Sequence, residues 1–147
     1  MRLSLHTDYA LRTLIHLATH DDRLSSIAEI ARAYAISENH LMKVVNMLAR
    51  AGLVRATRGR GGGLALARPA GEIRVGEVVR HGEKDLPLVD CASCRIAPAC
   101  GLSGALGEAF GAFMAVLDRY TIADVASRRG DLAQLLSLVS PEPAVDA

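Results

Sequence analysis

The chain has 147 residues, half of them apolar, with no Trp and a net charge of +1. That length suits one domain with an appended element, built on a core of Leu, Ala, Val and Ile. No stretch approaches the roughly 20 apolar residues of a membrane span, and the N-terminus lacks the cleavage site of a signal peptide, so a membrane partner is excluded and a cytoplasmic setting is expected.

The charge is unevenly spread. Residues 1–80 carry 12 Lys/Arg against 7 Asp/Glu, and residues 81–147 carry 5 against 9. Eleven of the first 12 cations are Arg, the planar donor suited to phosphates and guanine edges. A basic half followed by an acidic half points to a nucleic-acid-binding module joined to a different one.

Helical periodicity in Leu11, Leu14, Ile15 and Leu17 predicts a first helix over 7–19. Ser26 and Glu29 form a capping-box signature that opens a short helix to about Ala33. After the tight connection Tyr34-Ala35-Ile36, Ser37 caps a third helix from Glu38 to Ala51, with Leu41, Val44, Val45 and Leu48 as its apolar stripe. Gly52 stops it. Two strand-like runs, 53–57 and 64–69, flank Arg58-Gly59-Arg60-Gly61-Gly62-Gly63, which predicts a β-hairpin with an arginine-bearing tip. A short helix is expected over 75–81.

A long helix is expected over 103–120. Its seam is Leu106, Phe110, Phe113, Leu117 and Tyr120. Gly104, Gly107 and Gly111 lie on another face. Each costs roughly 1 kcal/mol against Ala in a helix interior, which predicts close approach of another helix there. Thr121 to Asp124 reads as an N-cap opening a brief helix, and the Pro-containing tail 140–147 reads as disordered. The expected division is a winged-helix DNA-binding domain at 1–80, a cysteine-rich loop at 81–102, a dimerisation helix with closing segment at 103–139, and the tail. The fold class is mainly α with a small β-hairpin wing.

A short helix, a tight turn and a second amphipathic helix form a helix-turn-helix, and the hairpin makes it winged. The second helix would enter the major groove of double-stranded DNA by its N-terminal end, presenting Ser37, Asn39, His40 and Lys43. Asn pairs with adenine, while Ser and His reach bases or phosphates. Arg55, Arg58 and Arg60 suit phosphate or minor-groove contact. The glycine-rich tip lacks the Gly-Lys-Ser/Thr ending of a nucleotide-binding P-loop and no helix follows it. No paired catalytic residues appear, which disfavours an electron-carrying or redox enzyme.

The three cysteines, Cys91, Cys94 and Cys100, all fall within ten residues. Thiolates gathered this closely in a loop bearing Pro98 and Gly101 can converge on a metal. A thiol switch without metal is the other reading. Three thiolates are one short of an ordinary iron–sulfur or structural zinc site. Asp8 is a candidate fourth ligand, contributed across a dimer, and equally a carboxylate complementing the positive end of the first helix.

These residues resemble a known family. Thr7-Asp8-Tyr9-Ala10-Leu11-Arg12, Ser37-x-Asn39-His40-Leu41-x-Lys43-Val44-Val45-Asn46-x-Leu48, Gly59-Arg60-Gly61-Gly62-Gly63-Leu64 and Cys94-x-Ile96-x-Pro98-x-Cys100-x-Leu102 are similar to the iron–sulfur winged-helix repressors. Leu88-Val89-Asp90-Cys91 and Asp118-x-Tyr120-Thr121-x-Ala123-Asp124 resemble the nitric-oxide-sensing NsrR branch in particular. The likeness spans residues 1–139. It implies a homodimeric repressor on a palindromic operator, with nitric oxide as effector. It also implies one iron–sulfur cluster per subunit, [4Fe-4S] favoured over [2Fe-2S], held by Cys91, Cys94, Cys100 and Asp8 of the partner subunit. A regulator responding to iron or redox state is the alternative. The chain departs from the pattern twice: the gap between Cys91 and Cys94 is shorter than in relatives, and Ser103 stands where the cluster-assembly branch has His.

Overall fold

The computed structural model describes residues 2–84, 86 and 88–139. The expected tail, 140–147, lies outside the described residues. Among the described residues, seven α-helices and one hairpin run in the order α1 (Leu5–Thr19), α2 (Ile27–Tyr34), α3 (Glu38–Arg50), β1 (Val54–Thr57), β2 (Gly63–Leu66), α4 (Val75–Gly82), α5 (Leu102–Leu117), α6 (Ile122–Val125) and α7 (Arg129–Val139). No helix among them is long and apolar enough to cross a membrane.

Helix α1 begins two residues earlier than its periodicity suggests. The Ser4 hydroxyl accepts from the Thr7 N–H at 3.2 Å, and the Ser4 N–H donates to Glu83 Oε1 at 2.8 Å. The cap is thus held by the end of α4, a contact invisible in local sequence. Ser26 and Ser37 cap α2 and α3 as expected, accepting from the Glu29 and His40 N–H groups.

The turn between α2 and α3 is a Schellman motif. Ile36 N–H donates to Ala31 O at 2.9 Å, and Ala35 N–H donates to Arg32 O at 3.3 Å. Ala35 takes the left-handed conformation, φ 53°, where glycine is usual. The buried Ile36 follows it into the core.

One core unites most of the chain. Leu14, Ile30, Leu41, Val44, Leu48, Leu53, Ile73, Val78 and Ile122 are all fully buried within it. The hairpin pairs antiparallel from Val54↔Leu66 to Thr57↔Gly63. It is docked by Ser25 and Leu64, which exchange both backbone hydrogen bonds at 3.0 and 2.8 Å. That bridge fixes the wing against the start of α2.

The C-terminal segment returns to the same core. Val75 N–H donates to Tyr120 O and Ile122 N–H donates to Ile73 O, both at 2.9 Å. This extended pairing is why α5 stops at Leu117 rather than at Tyr120. Thr121 and Asp124 then form a complete capping box that opens α6. Helix α7 was not anticipated, although Leu132 and Leu136 carry its period; Leu132 packs on the core.

The α5 seam is partly covered by the chain itself. Phe110, Phe113 and Leu117 are half-buried, and of the three Leu117 packs on the core. With Leu11, Val75 and Val79 they line a cavity of about 430 Å³. The predicted helix contact at Gly104, Gly107 and Gly111 is not made within the chain: a Cβ added at any of them would meet nothing within 4 Å.

His16 lies buried between α1 and α2, 2% exposed, with no hydrogen-bond partner on either ring nitrogen. Its ring stacks on His20 at 4.3 Å and meets Tyr34 edge-on at 5.9 Å. Burial, with repulsion from His20, lowers its pKa to about 4. The unfolded chain titrates near 6.5, so between these values the unfolded state binds more protons. Folding stability should therefore fall as pH drops from about 6.5 towards 4. Urea midpoints across that window measure it, and His16→Leu should flatten most of the slope, with half-buried His6 contributing a smaller part in the same direction.

Candidate nucleic-acid interface and cysteine loop

Helix α3 buries Leu41, Val44, Val45 and Leu48 and turns the opposite face outward. Ser37, Glu38, Asn39, Met42, Lys43, Asn46 and Arg50 are exposed on or before it. Asn39, Met42 or Lys43, Asn46 and Arg50 follow one another at helical spacing, so they share a stripe. Met42 and Asn46 were not singled out from sequence, yet the spacing from Asn39 carries the signal. His40 is placed differently from its neighbours. It is half-buried, its ring edge-on to Tyr9 at 4.9 Å and stacked on His6 at 6.3 Å. His40 thus ties the start of α3 to α1.

Behind that stripe, Lys43, Asn46, Arg50, His6, His81 and Lys84 line a groove of about 870 Å³. The groove joins the exposed face of α3 to the end of α4; Lys43, Arg50 and Lys84 bring cations to it and Glu83 a carboxylate. His6 there has a lowered pKa, from burial first and then from His40 and Lys84.

The wing tip is shaped by glycine. Gly59 and Gly61 sit at φ 95° and 75°, conformations open to glycine and strained for other residues. Gly62 N–H closes the turn on Gly59 O at 3.0 Å. A Cβ on Gly62 would press into the Thr57 carbonyl oxygen and come within 2.9 Å of Gly59 O. Arg55, Arg58 and Arg60 are exposed along this hairpin. Other arginines are spent on structure: Arg23 on Glu29, Arg68 on Glu77 and Arg80 on Asp118. That division separates bound cations from those free to meet a polyanion.

The cysteine loop is an excursion between α4 and α5. Its outer ends are joined by Arg80, which grips Asp118 through two bonds of 2.7 and 2.6 Å. Within the loop, Asp90 Oδ1 accepts from Ala92 N–H at 3.0 Å. Three successive turns follow: Cys94 N–H to Cys91 O, Ala97 N–H to Cys94 O, and Cys100 N–H to Ala97 O, at 3.3, 3.3 and 3.4 Å. The three cysteines thus stand at the ends of these turns, at 91, 94 and 100. Cys94 is exposed, Cys91 and Cys100 are half-buried, and none is in a disulfide.

The donor set suits a soft metal centre, since thiolates are the usual ligands of iron–sulfur clusters and structural zinc. The set is not closed within one chain: among the described residues, no three His, Cys, Asp or Glu side chains are placed to hold a metal ion together. Asp8 lies in the first turn of α1, where its carboxylate pairs with Arg12 at 2.9 Å. Both side chains are partly exposed, a setting in which such pairs contribute about 0–1 kcal/mol.

A helix-turn-helix whose exposed second helix is flanked by an arginine-tipped hairpin defines a winged-helix DNA-binding protein. Residues 3–128 match the Rrf2 family, described as iron-dependent transcriptional regulators, and the chain belongs to that family. It is a transcription regulator, not an enzyme. Among solved structures it is similar to CymR, the global cysteine regulator of B. subtilis, at 28% identity and TM-score 0.73, over 87% of this chain and 98% of that one. T. potens IscR is similar at 27% identity and TM-score 0.71, over 87% and 88%. The oxidized form of S. aureus CymR is similar at 28% identity and TM-score 0.71, over 86% and 96%.

The wing tip can be tested directly. Gly62→Ala should force the turn open and destabilise the protein by about 1–3 kcal/mol, the usual range for overpacking. Gly71→Ala, where the new methyl meets nothing within 4 Å, should be nearly neutral. Thermal melts of the two variants side by side give the comparison.

Proposed function

We propose that the protein is a dimeric repressor of the NsrR type, which binds a palindromic operator and releases it when nitric oxide reaches a cluster in the cysteine loop. The observation that carries this reading is the loop's attachment: three thiols sit on an excursion whose two ends are tied to the DNA-binding core. Rrf2 regulators bind DNA and are typically dimeric. A two-fold dimer presents two recognition helices to half-sites about one helical turn apart. A cytoplasmic setting, where thiols stay reduced, fits this role.

Cys91, Cys94 and Cys100 would hold an iron–sulfur cluster, [4Fe-4S] favoured, with Asp8 of the partner subunit as fourth ligand. When bound, the cluster supplies iron that reacts with nitric oxide. The chain's own part is mechanical. Ligation would hold the 91–100 turns in one arrangement. The Arg80–Asp118 pair and the Arg74–Thr121 bridge would pass that arrangement to α4 and the core. A carboxylate is a harder, weaker iron ligand than thiolate, so Asp8 would leave its position open to displacement. Residues 103–139 would supply the dimer contact and residues 1–80 the DNA contact.

On DNA, Ser37, Asn39 and Lys43 would lie at the major groove, joined by Met42 and Asn46 from the same face. His40 would act from the edge, since its ring is shared with Tyr9 and His6. Arg55, Arg58 and Arg60 would take phosphates or the minor groove. A regulator answering to iron supply or redox state through the same loop is the second reading. It is favoured by the likeness to a cysteine regulator and to an IscR.

The deciding experiment is anaerobic purification of the full chain, with iron, sulfide and operator affinity measured before and after nitric oxide. Cluster loss with at least a tenfold fall in affinity supports the first reading. An unchanged affinity removes nitric oxide as effector and leaves the second. Each of Cys91→Ala, Cys94→Ala and Cys100→Ala should lose the visible absorbance, whereas Asp8→Ala should keep the thiolate-bound cluster with an altered spectrum. Full iron and sulfide in any cysteine variant would strike that residue from the ligand set.

The two DNA elements separate by salt. Arg58→Ala and Arg60→Ala should weaken binding to all sequences and lower the salt slope by about 1 per lost phosphate contact. Asn39→Ala should instead change which base is preferred, by roughly 1–3 kcal/mol. Wing variants that alter base preference alone would show the docking to be reversed.

A further inference from the structure

We propose that Cys91 and Cys94 are a dithiol pair that hydrogen peroxide closes into an intramolecular disulfide when the loop holds no metal, leaving Cys100 a free thiol. The inference concerns the metal-free chain and does not depend on the nitric-oxide reading.

The geometry singles out one pair of the three. Cys94 N–H donates to Cys91 O at 3.3 Å, so the two cysteines are the ends of a single turn. The ends of such a turn lie under about 7 Å apart between Cα atoms, and three-residue turns rise about 2 Å per residue, giving roughly 6 Å. Disulfides span about 4.4–6.8 Å between Cα atoms. Cys100 is two further turns along the chain from Cys94 and shares no turn with it. Pro98 and the 3₁₀ turn Ala97–Ala99 lie between them and resist compaction.

The pair is also accessible and pre-shaped. Cys94 is exposed and Cys91 half-buried. Ala92 and Ser93, between them, are exposed as well. The bond from Ala92 N–H to Asp90 Oδ1 shapes the entry to the turn without any cross-link. Closing the bridge therefore calls for side-chain rotation rather than a new backbone path. The short spacing between these two cysteines is what makes the bridge possible.

The chemistry balances with peroxide as oxidant. The more exposed Cys94 attacks as thiolate on one peroxide oxygen. An S–O bond forms, the O–O bond breaks, and hydroxide leaves to become water. Cys91 thiolate then attacks the Cys94 sulfur; the S–S bond forms, the S–O bond breaks, and the second oxygen leaves as water. Two thiols and one peroxide give one disulfide and two waters. A dithiol reductant reverses the step. Since the same two sulfurs are claimed, the bridge and metal ligation exclude each other.

The sequence provides a clean assay. Trypsin cuts after Lys84 and Arg95, placing Cys91 and Cys94 together on peptide 85–95 and Cys100 on peptide 96–119. The full-length chain is stripped of metal with a chelator, treated with equimolar hydrogen peroxide, alkylated with iodoacetamide and digested without reduction. Peptide 85–95 should appear unalkylated and two hydrogens lighter, with Cys100 alkylated. Cys100→Ser should close the same bridge, and Cys91→Ser should leave a sulfenic acid on Cys94 that dimedone traps. Cross-linking of 85–95 to 96–119, a disulfide between two chains, or alkylation of all three cysteines would each overturn the proposal. So would a Cys100→Ser variant that fails to close. None of those results bears on cluster loading or operator binding in the anaerobic protein.

Discussion

The structure depends on a clasp of two backbone hydrogen bonds. Val75 donates to Tyr120 and Ile122 donates to Ile73, joining the entry of α4 to the exit of α5. The cysteine loop and α5 between them become a closed excursion from the core rather than a tail. Ile122, delivered by the clasp, is fully buried in the common core, on an element packed against α1. The winged helix is therefore completed from the C-terminal side of the chain. Two further devices hold the same joint: the two-pronged Arg80–Asp118 pair and Gly76, where a Cβ would collide with the Asp118 carboxylate.

The same logic governs the DNA-binding face. The recognition helix is placed by four apolar side chains on its inner side and by His40, whose ring is caught between Tyr9 and His6. The wing is placed by the Ser25–Leu64 exchange. Helix and wing thus share one rigid support, and Asn39, Lys43, Arg58 and Arg60 remain exposed beside it. The arginines sort accordingly. Those in the middle of the domain are paired with carboxylates, while those on the hairpin are exposed. An operator therefore meets cations that need not first break an ion pair.

Helix α5 is the least committed element. Its aromatic side lines an open cavity with residues of α1 and α4, and among its described residues only Met114 is buried. The glycines at 104, 107 and 111 leave the far side smooth and open. Such a helix is tied to the core at its C-terminal end and leads into the cysteine loop at its N-terminal end. Changes in the loop therefore reach α5 directly and reach the winged helix through the clasp.

Much of this was legible in the residues. Serine caps at 26 and 37, the buried stripe of the third helix and the glycine-rich hairpin are local signals, because caps, periodicity and turns are decided by residues within a few positions of one another. The cysteine cluster was legible for the same reason. What local signals could not reveal depends on distant partners. Helix α1 starts at Leu5 because Glu83, far along the chain, steadies its cap. Helix α5 ends early because Tyr120 is drawn into pairing with Val75. His40, read from its place in the recognition helix as a DNA contact, turns its ring to α1. In each case the side-chain pattern named a face that would be used, and only the three-dimensional packing decided which neighbour uses it.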